Sequence, residues 1–204
     1  RARRRRTGPR SGATVGGNER VAAGAAPPPE GCGGGRHAPS TTEVQVGAGA
    51  DTSAAAALGV SYGSSQHRPD GALVCGTRPD EWTIYGAAGQ AAAISATIPT
   101  EGFVTVIDIT HGRAMLRISG SNATSALSKI CNLDLGNELT PNGAVFSASV
   151  GGVGCDLVRD DQNGQTSFLI GCERSFGRFL FIAVADACTE FGVQIPAGWE
   201  LHGH

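Results

Sequence analysis

Residues Arg113–Leu135 read R-A-M-L-R-I-S-G-S-N-A-T-S-A-L-S-K-I-C-N-L-D-L, and they constrain the fold more than any other stretch of the chain. Two periods meet there. Ala114–Ser119 alternates, with Met115 facing away from Leu116 and Ile118, as a strand with one buried face does. After Ser119-Gly120 the period lengthens. Ala123, Ala126, Leu127 and Ile130 fall at i, i+3, i+4 and i+7, which is one apolar helix face. Ser121 or Asn122 is expected to cap this helix by accepting a bond from an exposed backbone N–H. A strand that feeds a helix through two small residues points to a mixed fold.

The flanking sequence extends that pattern. Phe103–Thr110 is a β-branched run, and His111-Gly112 predicts a tight hairpin joining it to Ala114–Ser119. Ala144–Val150 and Val153–Val158 read as strands separated by Gly151-Gly152, after a Pro141–Gly143 turn. Asp160–Gly164 is a polar hairpin turn, with Thr166–Ile170 returning. A helix is expected from Ser175. Phe176, Phe179, Leu180, Ala183, Ala187 and Phe191 form its stripe, Phe181 and Ile182 a second apolar face, and Gly192 its stop. A second apolar face needs burial or a partner. Upstream, Thr42–Val46, Ala72–Cys75 and Glu81–Tyr85 read as short strands. Thr52–Leu58 reads as a short helix, His67–Gly71 as a turn, and Gly86–Ala93 as a loop or short helix. The expected fold class is α+β, an antiparallel sheet with two helices packed on one face.

The ends differ from the middle. Residues 1–40 are rich in Arg, Gly, Ala and Pro and almost free of large apolar side chains, so they cannot offset their ordering entropy by burial. They read as a tail, or as an arm held by a partner. Their composition also matches out-of-frame translation of GC-rich DNA, there is no initiator Met, and no function is drawn from them. Residues 41–197 are expected to form one domain, with 198–204 a C-terminal tail. Six Arg lie within residues 1–10, leaving a formal net charge of −8 on the rest. A basic tip on an acidic body argues against nucleic-acid binding, where basic residues cluster on the folded face. No apolar core follows the first arginines as in a signal peptide, and no run reaches the roughly 20 residues that span a bilayer. The expectation is a cytoplasmic protein without a membrane partner. Cys32, Cys75, Cys131, Cys155, Cys172 and Cys188 are scattered without C-x-x-C spacing, which favours reduced, buried thiols.

Few residues suggest chemistry. His202 and His204 lack a carboxylate or Cys at ligand spacing, and His111 sits at a turn. His37 and His67 complete the histidines. Cys131 has only Lys129 as a cationic neighbour, so a structural thiol is favoured over a reactive one. Asp108, Asp134 and Asp156 are conceivable as a catalytic carboxylate set, but edge or turn positions are the simpler expectation. The Gly-rich stretches match neither G-x-G-x-x-G between strand and helix nor G-K-[ST]. Asn122-Ala123-Thr124 matches the glycosylation sequon at the start of a helix expected to be buried, a chance match. Trp82 and Trp199 are candidate partner anchors near the surface. No residue is assigned a catalytic, cofactor-binding or metal-ligating role.

Leu116, Ile118, Ser119, Gly120, Ala123, Leu127, Lys129, Cys131 and Leu133-Asp134-Leu135 resemble a segment of the gamma subunits of heterotetrameric sarcosine oxidase. Pro79-Asp80-Glu81-Trp82 followed by Thr83-Ile84-Tyr85-Gly86 resembles that family's P-D-E-W strand. Phe176–Gly192, ending A-D-A-x-x-E-F-G, resembles its C-terminal helix. The resemblance covers roughly Thr41–Ile195. It implies a fold like the folate-binding domain of the aminomethyltransferases, such as the glycine-cleavage T-protein. Those proteins end the helix near T-N-D-L, from which Cys131–Leu135 departs. The resemblance further implies an accessory, non-catalytic subunit with alpha, beta and delta partners, docked mainly on alpha. FAD, FMN, NAD, zinc and tetrahydrofolate are expected on those other subunits and none on this chain. The alternatives are a subunit of a related N-methyl amino acid oxidase or dehydrogenase, or a small stand-alone tetrahydrofolate-binding protein.

Overall fold

In the computed structural model the described residues are 41–49 and 51–192. Alternation turns Thr41–Ala48 into strand β1, with Val44 and Val46 buried on one face. Helix α1 (Ser53–Leu58) starts where the Thr52 hydroxyl accepts from Ala55 N, and stops at Gly59, whose φ of 63° needs no Cβ. Strands β2 (Ser65–His67), β3 (Leu73–Arg78) and β4 (Glu81–Ala87) follow, then helix α2 (Ala91–Ala96) and strand β5 (Val104–Asp108). Strand β6 (Arg113–Ser119), helix α3 (Ala123–Leu127), strands β7 (Val145–Val150), β8 (Val153–Arg159) and β9 (Ser167–Glu173), and helix α4 (Gly177–Cys188) complete the order.

The strands divide into two antiparallel sheets. One has the order β2-β3-β4-β1-β5, the other β6-β9-β8-β7. Period two gives each sheet two faces. On the first, Val44, Val46, Val74, Trp82 and Ile84 pack with Ala54 and Leu58 of α1 and Ile94 of α2. On the second, Leu116, Ile118, Leu157 and Ile170 pack with Leu127 of α3 and with Leu180 and Val184 of α4. The remaining faces meet through Leu73, Cys75, Tyr85, Val145, Val158, Leu169 and Met115. The result is four layers, helix–sheet–sheet–helix. The expected α+β class holds, and two helices do cover one face of the second sheet.

Several expectations change. Phe103–Thr110 and Ala114–Ser119 form no hairpin: β5 pairs with β1 and β6 with β9, so the chain crosses from one sheet to the other at His111-Gly112. Alternation gives a strand its faces but not its partner. Asn122 stands at the start of α3 without a side-chain capping bond, and the Ser121 alternative does not hold either, because Ala123 N is met by Gly120 O. Helix α4 begins at Gly177, after a 3-10 turn at Arg174–Phe176, rather than at Ser175. Its buried face is Leu180, Val184, Ala187 and Cys188, with Phe181 and Ile182 also buried. The uncovered aromatics are instead Phe176 and Phe179, each about half exposed. Strand β2 was not foreseen within its polar Ser65-Gln66-His67 sequence. The Asp160–Gly164 turn is tight: Gln162 and Gln165 pair across Asn163 and Gly164, whose φ values of 53° and 75° suit a two-residue Asn-Gly connection. The tails at 1–40 and 198–204, with Cys32, His37, Trp199, His202 and His204, lie outside the described residues. No helix among the described residues is long and apolar enough to cross a membrane.

Candidate functional site

The layer between the sheets carries the chemistry. Arg113, Met115 and Arg117 alternate on the β6 face that looks away from the helix-covered core. In a single sheet this face would meet water. Here it meets the first sheet, so the two guanidiniums sit at opposite ends of a narrow interior.

At one end, Arg113 gathers carboxylates from three strands. Its Nε lies 3.2 Å from Glu43 Oε1 and its Nη1 3.6 Å from Glu173 Oε1, and Nη2 pairs with Asp156 Oδ2. Glu43 is almost fully buried. Burial pushes its carboxyl up to about 7, outweighing the pull of Arg113. Burial likewise raises Asp156 above the ordinary carboxylate value, against Arg113 and Arg78. Burial works against the charge of Arg113, but Glu43 and Asp156 prevail and raise its pKa. Tyr85, opposite Glu43 in register, brings its hydroxyl to this cluster. A Cβ on Gly171 would stand 3.4 Å from both Tyr85 Oη and Arg113 Nη2, so a glycine there leaves room for the two to converge. That hydroxyl has no hydrogen-bond partner. Arg78, Glu81, Thr83 and Gln45 help close a polar cavity of about 230 Å³ around the cluster.

At the other end, Asp160 is the hub. Its Oδ1 lies 2.8 Å from His67 Nε2, and its Oδ2 accepts from Arg117 Nη2 at 2.7 Å and Gln162 Nε2 at 3.1 Å. Arg117 Nη1 also donates to Ser167 Oγ at 2.8 Å. Burial opposes the charge on Asp160, but the bonds from His67 and Arg117 outweigh it and hold its pKa below the ordinary value. These groups rim a cavity of about 220 Å³ walled by Leu73, Tyr85, Met115 and Leu169. The His67–Asp160 pair resembles the base-and-orienter half of a nucleophilic site. No Ser or Cys lines the cavity beside it, and Thr41 is its one lining residue with an aliphatic hydroxyl. Its volume falls below the roughly 300–1,000 Å³ of pockets that enclose drug-sized ligands.

The residues singled out from sequence are dispersed. Asp108 is exposed and accepts from Thr110 N, and Asp134 accepts from Gly136 N. Asp156 is neither at an edge nor in a turn: it sits inside β8 and pairs with Arg113, because its strand face meets the other sheet. His111 is exposed in the crossing turn. Trp82 is buried, donating from Nε1 to Val60 O at 2.7 Å, so it is a core residue and no surface anchor. Cys75, Cys155, Cys172 and Cys188 are buried free thiols, and Cys131 is half-buried. Burial raises Cys75, and a hydrogen bond with Cys172 raises Cys155, so both stay protonated thiols at neutral pH. Among the described residues no group of three or more His, Cys, Asp or Glu is arranged to hold a metal ion. Glu43, Tyr85, Arg113, Arg117 and Asp160 were given no functional role from the sequence, where Asp160 read only as the start of a turn and Tyr85 only as the end of a strand. The R-x-M-x-R stripe on β6 was the one signal that could have found them.

No protein-family model matches the chain, and no curated protein sequence matches it. Solved structures do. A chain of heterotetrameric sarcosine oxidase from Corynebacterium sp. U-96, in complex with pyrrole 2-carboxylate, is similar with a TM-score of 0.65 and 23% identity. The match covers 78% of this chain and 84% of that one. The glycine cleavage system aminomethyltransferase T from Bartonella henselae is similar with a TM-score of 0.56 and 19% identity, over 71% of this chain and 43% of that one. At these identities the likeness is one of fold, and the chain has the α+β fold of these aminomethyltransferase-like structures.

Proposed function

We propose that the chain is an accessory, non-catalytic gamma subunit of a heterotetrameric sarcosine oxidase. Such an assembly oxidatively demethylates sarcosine to glycine, releasing formaldehyde, or 5,10-methylene-tetrahydrofolate, and hydrogen peroxide. The observation that carries the reading is the fold match over 84% of a chain from such an oxidase. It is supported by the way the interior charges are used. Arg113 of β6 pairs with Glu43 of β1, and Asp160, held by Arg117, pairs with His67 of β2, which suits holding two sheets together better than turning over a substrate. In this reading the alpha, beta and delta partners carry FAD, FMN, NAD, zinc and the folate site, and this chain docks mainly on alpha. Co-expression with a flavoprotein chain and a T-protein-like chain from the same genome is the test. Co-purification, with sarcosine-dependent peroxide formation that drops when this chain is omitted, is expected. A chain that is soluble alone and shows no affinity for the T-protein-like partner would sink the proposal.

The likeness to aminomethyltransferase T favours a second reading, a stand-alone tetrahydrofolate-binding protein. The cavity of about 220 Å³ is small for that ligand. Calorimetric titration of the isolated chain with tetrahydrofolate separates the two, since only the second reading expects saturable binding.

A further inference from the structure

Strand β5 closes one side of the first sheet, and among the described residues nothing pairs with its outer edge. The other outer strands are protected in ways known to blunt sheet edges. Strand β2 is three residues long and polar. On β7, Ser149 N donates to Asn132 Oδ1 and Val150 bridges Cys131. Strand β6 carries Arg113 and Arg117. By contrast β5 reads V-T-V-I-D, with no Lys, Arg or Pro and no shift in its register against β1. It is also bordered by apolar surface. Phe103 is 90% exposed and Ile107 49%. Ile107 shares the strand face of Thr105, on the side of the second sheet, and Phe103 directly precedes the strand.

The hydrogen-bond phase of this edge follows from one bond. Ile109 N donates to Glu43 O, so by alternation Ile107 and Thr105 direct their backbone groups at β1. Val104, Val106 and Asp108 direct theirs outward. That spacing is self-complementary. A second copy turned about a two-fold axis at Val106 sets Val106 against Val106 of the other copy, and Val104 against its Asp108. Each such pair exchanges both N–H···O=C bonds. The acidic side chains face valines rather than each other, so no like charges are opposed. Thr105 then lies opposite Ile107 of the second copy, and the exposed Phe103 at the start of each strand comes close to the end of the other.

We propose that this edge is a homodimer interface, in which β5 pairs antiparallel with β5 of a second copy of the chain and joins the two first sheets into one. The interface is isologous and closes with the dimer. A five-residue strand pair is at the low end of specific interfaces, so the dimer is expected to be weak and concentration-dependent. The dimer concerns the chain itself and does not depend on the function proposed above.

Sedimentation velocity of the full chain, from low micromolar to near-millimolar concentration, reads the association directly. A reversible rise from monomer to dimer mass is expected. Val106→Pro removes an outward N–H at an edge position where proline is tolerated. Ile107→Lys places a charge at a half-exposed apolar position, away from both helix-covered cores. Each weakens the dimer by roughly tenfold or more. Circular dichroism identifies folded variants, and Ile107→Lys keeps the test decisive if the proline variant does not fold. A chain that stays monomeric throughout overturns the proposal. So does a folded Ile107→Lys variant that dimerises like the wild type, or association that runs past the dimer.

Discussion

Tyr85 is enclosed by both sheets, and its hydroxyl meets no acceptor. A buried hydroxyl left unbonded costs roughly 1–3 kcal/mol of desolvation. Burial, foremost, and the carboxyls of Glu43 and Asp156 also raise its pKa well above the ordinary tyrosine value, so it remains neutral. Tyr85→Phe keeps the ring in its layer and removes only the orphan. The expected result is unchanged or increased stability, by up to about 1 kcal/mol, read from the urea midpoint at constant m-value. A loss on that scale would instead mean that bound water satisfies the hydroxyl in solution. Neighbouring Arg113 stands at the opposite extreme. It answers Glu43, Asp156 and Glu173 at once, so carboxyls from three strands converge on one side chain.

At the scale of the elements, glycines show where segments approach too closely for a side chain. Gly76 in β3 faces the Ser61–Tyr62 backbone, and a Cβ there would lie 2.3 Å from Ser61 O. Gly86 in β4 faces α2, and a Cβ would lie 2.5 Å from Ile94 Cδ1. The first obstacle is backbone held by the Gly63–Gly76 hydrogen bond, while the second is the tip of a flexible side chain. Gly76→Ala is therefore expected to destabilise by about 2 kcal/mol or more, and Gly86→Ala by clearly less, in paired urea titrations. Equal costs would contradict the difference in obstacle. The same local-versus-distant contrast explains what could be read in the sequence. Strands β1 and β3–β9 and helices α1, α3 and α4 showed themselves through period and turn residues, because those are local. The partner of β5 did not, because pairing across more than 50 residues leaves no local mark. For the same reason the Arg113–Met115–Arg117 stripe read as an ordinary outward face. Only the first sheet, packed over that face, turns it into an interior and brings Glu43 of β1 to Arg113.

For the whole molecule, these buried acids set where on the pH scale the fold is most stable. Glu43 titrates near 7 in the folded chain against 4.5 unfolded, so between those values the folded state holds a proton that the unfolded state has lost. Stability therefore falls as pH rises through that window, by on the order of 3 kcal/mol in total. Asp156, raised mainly by burial, acts in the same direction. Asp160 acts oppositely: burial raises it, but the bonds from His67 and Arg117 bring it below 3.8. Its contribution is present above the unfolded value and is lost as pH falls through the folded one. The optimum is thus expected at mildly acidic pH, below the pH 5–8 region where maximal stability tends to lie. Urea midpoints measured from strongly acidic to mildly alkaline pH should rise and then decline before neutrality. Glu43→Gln, which has no proton to lose, should flatten the decline on the alkaline side and leave the acid limb in place. A wild-type midpoint that holds level or climbs from pH 4.5 to 7 would show that Glu43 keeps its charge in the fold, and that Arg113 compensates its burial in full.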